Sequence, residues 1–499
     1  MRCSAVLVAA VVAAAACAAG ARADVSVGVA DDGGKYAEDG GASFFGTLRE
    51  LGMGENRVTV LWDPARPTTI VERGFLDRSL PQAAAHGVRI VFAVYPARPT
   101  GVTGTPDGPA GFAAFVALLA RTYPQVKQFV IGNEPNQPRF WQPQFAPDGT
   151  RVAAASFLET LGRSYDALKG VDPAIRVIGL GLSERGNDNP AAPSNASTSP
   201  VRFLRDLGAA YRASGRTAPV MDALDFHPYP ESPQDPLLKA YAWPSVGVGN
   251  LDRLKQAVWD AFDGTAQPTV ETGLRLRIGE TGWQVGIVAG SAAAYTGIEN
   301  VAVTDEPTQA AIYAQLLRTL ACDPALEAVH LFGLQDERDL DRFQAALLRA
   351  DGSRRAAFDA VRALLAETGG RCTGTPTAWR HTTAVVGAAA AWGDLGPSTG
   401  RRTAWSFGVT AAEEATFRGS VHRLPGDRRR RRAALRDLQR TGGRAVLEAR
   451  GTVRAGWTPR VVFPSRRLGP GTYVYRVELR ATMNPSRSST FVSRPFVVR

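Results

Sequence analysis

Between Val25 and about Thr368, short β-branched runs alternate eight times with longer segments of helical period, and this alternation constrains the fold more than any motif does. Strands joined through helices pair in parallel, because each crossover returns the chain to the same end of the sheet. The strands read from the pattern are Val25–Ala30, Arg57–Trp62, Val88–Tyr95, Gln128–Asn133, Arg176–Leu180, Ala223–His227, Arg275–Gly279 and Ala328–Phe332. Helices are expected near Ala42–Leu51, Leu76–His86, Ala110–Tyr123, Ala154–Lys169, Val201–Ser214, Leu251–Phe262, Thr308–Leu320 and Arg355–Glu367. Eight such units over ~345 residues suit a (β/α)8 TIM barrel with insertions. An open doubly wound sheet is the competing arrangement, but no GxGxxG follows the first strand.

The 499 residues exceed one ordinary domain. Arg2, the apolar run Ala5–Ala19 and Ala21-Arg22-Ala23 read as a signal peptide over residues 1–23, so the protein is expected to be secreted. Lipid anchoring through Cys17 is the minor alternative. The barrel is placed at 24–370, a linker at 371–382 and a small C-terminal β-sandwich, Ig-like in pattern, at 383–499, where alternation returns at Ala404–Val409, Ala445–Ala449, Thr472–Leu479 and Phe491–Val498. Removing the leader leaves Cys322 and Cys372, an even pair that predicts one disulfide in an exported protein.

Charge is divided unevenly. Residues 380–499 hold 23 arginines, no lysine and 7 acidic residues, a net +16 that leaves −5 for residues 1–379 of the +11 total. The run Arg428–Arg432 offers contact with an anionic cell surface or polymer, although a solvated loop is the plainer reading, and Arg431–Arg444 is ambiguous, with a disordered loop as its reading. No motif indicates a nucleic-acid partner, and no segment beyond the leader is apolar enough to span a membrane. No CxxC, HExxH or paired-histidine spacing supports a metal site, and no cofactor motif is present.

Two carboxylates stand out. Strand four runs Phe129-Val130-Ile131-Gly132 into Asn133-Glu134-Pro135-Asn136, and strand seven runs Leu276-Arg277-Ile278-Gly279 into Glu280-Thr281-Gly282-Trp283. A glutamate before a proline is by itself an ordinary turn residue. In a closed barrel, however, strands four and seven face each other across the mouth, where active sites of this fold lie. Two such carboxyls can serve as acid/base and nucleophile in glycoside cleavage if they sit ~5–5.5 Å apart.

These motifs resemble glycoside hydrolase clan A, retaining (β/α)8-barrel enzymes. The Ile131–Asn136 run, Tyr165–Lys169, Val171-Asp172-Pro173 and Asp225-Phe226-His227-Pro228-Tyr229 are most similar to family 39, with family 5 the near alternative. The resemblance implies Glu134 as acid/base and Glu280 as nucleophile. It further implies Arg57 beside the nucleophile, Asn133 on the sugar 2-hydroxyl, and His227 and Tyr229 facing a glycan substrate. Gly132 and Phe332-Gly333-Leu334-Gln335 depart from the tryptophans common at their positions.

Trp62 and Trp283 fall at strand ends and are expected to stack on sugar rings. The unusually long loops Gly181–Pro200, Pro228–Asn250 and Trp283–Pro307 are expected to wall one side of the cleft. Hydrolysis of a β-linked glycan is the leading expectation. A catalytically silent carbohydrate-binding barrel and a transglycosylase using the same glutamates are the alternatives.

Overall fold

A computed structural model describes residues 24–391, 406–463 and 468–498; the expected leader lies outside these, as do Ala404 and Trp405 of one expected strand. The strands β1 (Ser26–Ala30), β2 (Glu55–Trp62), β3 (Arg89–Pro96), β4 (Gln128–Ile131), β5 (Arg176–Ser183), β6 (Ala223–His227), β7 (Arg275–Ile278) and β8 (Leu326–Phe332) form a closed parallel barrel. Closure is made by β1 pairing with β8 from Ser26↔Ala328 to Ala30↔Phe332.

A short helix α1 (Gly33–Tyr36) follows β1. Around the barrel run α2 (Ala42–Leu51), α3 (Arg73–Ala85), α4 (Gly108–Thr122), α5 (Ala153–Val171), α6 (Pro200–Ala213), α7 (Leu251–Phe262), α8 (Glu306–Ala321) and α9 (Ala356–Thr368). Leucines, valines and aromatics of these helices meet the outward faces of the strands in one core. Inside, Val91, Ala93, Val130, Ile178 and Ala223 fill the side formed by β3 to β6. The other side carries buried charge: Glu55 accepts from Arg277 and contacts His330 at 3.1 Å. The ion pair compensates two charges that would otherwise be costly to bury. Among the described residues, no helix is long and apolar enough to cross a membrane.

Beyond the barrel, β9 (Gly387–Ala391), β10 (Ser406–Ala411) and β13 (Arg460–Val462) form one antiparallel sheet; β11 (Ala415–Leu424), β12 (Leu447–Val453), β14 (Gly471–Ala481) and β15 (Ser488–Val492) form another, with β16 (Phe496–Val498) pairing β14. Phe407 and Val409 of the first sheet share a core with Val421, Val477 and Leu479 of the second. This is the small β domain expected from the alternating pattern. The segment 371–382 is fastened at both ends. Cys372 is disulfide-bonded to Cys322, and His381 stacks on Trp259 of α7 at 4.2 Å while bonding Glu271.

The arginine run corrects the sequence reading. Arg428–Arg440 is a helix, α10, not a loop. Asp427 caps it by accepting from the Arg430 N–H at 2.8 Å, and Leu435 and Leu438 pack on Leu424 and Val474. Seven arginines hide an apolar stripe only one and a half turns long.

Candidate active site

Both glutamates leave their strands through backbone that only particular neighbours permit. After β4, Gly132 has φ +89°, and a Cβ there would meet the Phe157 ring at 2.6 Å. The close approach leaves no room for a side chain at this position. Glu134 itself has φ +42°, a left-handed conformation costly for a non-glycine residue. Its N–H is held by the Gly181 carbonyl at 2.8 Å, where a bulge interrupts the pairing of β5 with β6. Asn136 fixes the same turn, donating to the Thr198 carbonyl at 2.9 Å and accepting from the Ser183 N–H at 3.0 Å.

After β7, the chain runs through Gly279, whose Cα lies against the Asp225 carboxylate so closely that a Cβ would come within 2.1 Å of it. Glu280 then enters the mouth opposite Glu134. Oxygens of the two carboxyls and Nδ1 or Nε2 of His227 all lie within 4.8 Å of one another.

Arg57 organises the centre. Its Nη1 donates to Glu280 Oε1 at 2.6 Å and its Nη2 to Asn133 Oδ1 at 2.8 Å. With that oxygen occupied, the amide NH2 of Asn133 is its donating end. Tyr229 donates its hydroxyl to the other oxygen of Glu280 at 3.0 Å. Burial, followed by the charges of Glu280 and Glu134, holds the Tyr229 hydroxyl well above its usual range, so it remains a neutral donor. His227 Nδ1 contacts Glu134 at 3.1 Å. Burial alone would push His227 down, but Glu280, Asp225 and Glu134 raise it to about 10.

Six of the expected residues therefore meet: Glu134, Glu280, Asn133, Arg57, His227 and Tyr229. Two do not join them. Trp62 and Trp283 are each 2% exposed. Trp62 packs edge-on against Phe112, and Trp283 packs edge-on against Tyr313. Their ring faces belong to the core, because both side chains turn outward toward the helices. Tyr36, Phe44, Tyr95, Phe140, Phe332 and Phe343 supply aromatic lining instead.

The cleft above the carboxylates has a volume of about 1040 Å³. Its walls come mainly from the segments after β1, β4 and β8, not from the long loops after β5, β6 and β7. Those loops are tied to neighbouring segments: the Thr198 N–H donates to the Asn136 carbonyl at 2.9 Å, the Val246 N–H to the Glu184 carbonyl at 2.9 Å, and the Tyr295 hydroxyl to the buried Asp336 at 2.7 Å. Asp336, which follows β8, also pairs with the buried Arg355.

The sequence reading passed over two further acids. Asp31 borders the cleft and accepts from the Gly33 and Leu334 N–H groups at 2.6 Å each. Burial pushes it up to about 6. Glu184, just beyond β5, is 2% exposed. Burial and the nearby charge of Glu134 raise it to about 7 against the opposing pull of Arg185. Neither position carries a motif; their only sequence signal is placement after a strand.

Among the described residues, Glu134, His227 and Glu280 form a grouping compact enough for a metal ion. Arg57 already supplies a cation 2.6 Å from Glu280, which suits the cluster to proton transfer more than to a divalent ion.

No protein-family model matches the chain, and none of the curated proteins does. Solved structures do resemble it. A family 39 glycoside hydrolase from the gut symbiont Bacteroides cellulosilyticus WH2 is similar at 16% identity and TM-score 0.50, over 89% of this chain and 81% of that one. A monomeric beta-xylosidase from Caulobacter crescentus CB15 is 17% identical over 92% of this chain and 96% of that one, at TM-score 0.45. The GH5_18 protein of Streptomyces cattleya, solved with Manb1-4GlcNAc, is 15% identical over 72% and 84%, at TM-score 0.46. The first likeness is one of fold.

Proposed function

We propose that this chain is a retaining glycoside hydrolase of clan A type, cleaving a β-linked oligo- or polysaccharide by double displacement. The observation that carries the reading is the approach of one Glu134 oxygen to one Glu280 oxygen within 4.8 Å, with Arg57 and Tyr229 both bonded to Glu280. Retention requires carboxyls ~5–5.5 Å apart, whereas inversion needs ~6.5–9.5 Å to admit a water. The arrangement favours the first.

In the first step a Glu280 oxygen attacks the anomeric carbon, and the bond to the leaving oxygen breaks as Glu134 gives that oxygen its proton. The Arg57 and Tyr229 donors hold the Glu280 carboxylate aimed into the mouth. In the second step water attacks the glycosyl–Glu280 ester, Glu134 accepts the water's proton, and Glu280 leaves as carboxylate. Asn133 is positioned to hold a hydroxyl of the sugar, and the aromatic lining suits the apolar faces of sugar rings.

Export is part of the proposal. The leader-like start and the Cys322–Cys372 disulfide both suit an oxidising compartment. The test is Glu280→Ala assayed on a panel of polysaccharides and aryl β-glycosides. Loss of at least about 10⁴-fold in kcat is expected, as for removal of a nucleophile. Undiminished hydrolysis by the variant, or a first-formed product of inverted anomeric configuration by NMR, would refute the mechanism.

A further inference from the structure

We propose that Asp225 is a positioning residue for this site, its carboxylate fixing His227 as a cation between Glu134 and Glu280. Asp225 and His227 lie two residues apart on β6, so both side chains point into the barrel, Asp225 one layer below. Asp225 is 1% exposed, and neither of its oxygens makes a hydrogen bond. What faces it are cations: His227 Nε2 at 3.5 Å and Arg57 Nε at 3.7 Å, two nitrogens that are themselves buried without a hydrogen-bond partner. Four polar atoms that would each be costly to bury alone are turned toward one another.

The backbone is cut to fit this contact. Gly279 on one side leaves no room for a Cβ beside the Asp225 carboxylate, and Gly181 on the other passes His227 Nε2 so closely that its Cβ would lie 3.2 Å away. Asp225 is thereby held under the imidazole, its carboxylate 3.5 Å from Nε2.

The groups facing His227 come from every side of the mouth. Glu134 follows β4, and Glu280 follows β7, its Oε2 3.8 Å from Nδ1. Arg57 is on β2, with the Tyr95 hydroxyl of β3 nearby; Tyr229 follows β6; Arg277 of β7 and His330 of β8 lie below near Asp225. In this cluster the basic groups Arg57 and His227 face the carboxyl groups of Asp225, Glu280 and Glu134. Without Asp225 the imidazole loses the carboxylate that faces its Nε2, and His227 gives up its proton more readily.

The consequence for turnover rests on the glycosidase reading; the charge state of His227 does not. The test is ¹⁵N-histidine NMR of the full-length protein, which has five histidines, with the His227 resonance assigned by loss in His227→Gln. In the wild type, His227 is expected to remain an imidazolium from about pH 5 to 8, whereas an unperturbed histidine titrates near 6.5. In Asp225→Asn its titration moves into that range, and the alkaline limb of kcat/KM shifts down by about one pH unit, a change that simple loss of packing would not produce.

A wild-type midpoint below about pH 8 overturns the proposal, and so does an Asn variant whose histidine titration and pH profile match the wild type. If Asp225→Asn does not fold, the wild-type titration still decides. A charged His227 in a protein that hydrolyses no glycoside would defeat the functional reading and leave this one standing.

Discussion

Glu184 illustrates how burial changes what a residue does. In the sequence it falls in the long loop Gly181–Pro200; in the fold it is enclosed, with the Ser183 hydroxyl at 3.0 Å. Its carboxyl titrates near 4.5 when unfolded and at about 7 when folded. The folded state therefore binds the proton more tightly, and the stability this contributes is full below pH 4.5 and lost as pH rises through 7. Replacing it by an uncharged isostere removes that loss. Glu184→Gln is expected to be more stable than wild type at pH 8, by up to about 3 kcal/mol, and level with it near pH 4.5. Urea unfolding at three pH values checks this; parallel curves for the two proteins would contradict it.

At the scale of elements, the positions of the βα units were legible because each strand is a β-branched run and each helix has its own apolar stripe. Helix α10 was not, since its stripe is short and its charges dominate the pattern. Arg428, Arg429 and Arg430 occupy its first turn, where the helix dipole disfavours cations. The cap then matters more than usual. Asp427→Ala should destabilise this helix by about 1 kcal/mol. Amide exchange across residues 428–440 should accelerate about fivefold while the barrel strands are unaffected, as read by hydrogen–deuterium exchange. Unchanged exchange there would show that packing of Leu435 and Leu438 alone holds the helix.

Over the whole molecule, the barrel and the β domain are joined through a buried cation. Arg487, 2% exposed, donates to Asp260 of α7 at 2.8 Å, to Glu413 at 2.6 Å, and to the carbonyl of Thr382 at 3.0 Å. Three parts of the chain, far apart in sequence, meet on one side chain. Arg487→Met keeps most of the packing and strands two buried carboxylates, a change of about 3–5 kcal/mol where such a pair is broken. Calorimetry is expected to show a lowered Tm with the β domain unfolding ahead of the barrel. A shift of less than about 1 kcal/mol would mean that the junction is held by other contacts.

The sequence by itself determined the eightfold alternation, the two glutamates at the ends of strands four and seven, and the residues around them. These are local properties, written as periodicity and as motifs at strand ends. What the tertiary structure decided depends on which way a side chain turns once the sheet closes. Trp62 and Trp283 stand at strand ends yet face the helices, so the aromatic lining comes from Tyr36, Phe44 and Phe140 instead. The long loops after β5 to β7 fold onto the scaffold, and shorter segments form the cleft. Asp225 and Glu184 acquire their character from neighbours on other strands, because burial and the charges across a closed barrel are properties of the fold and not of the segment that carries the residue.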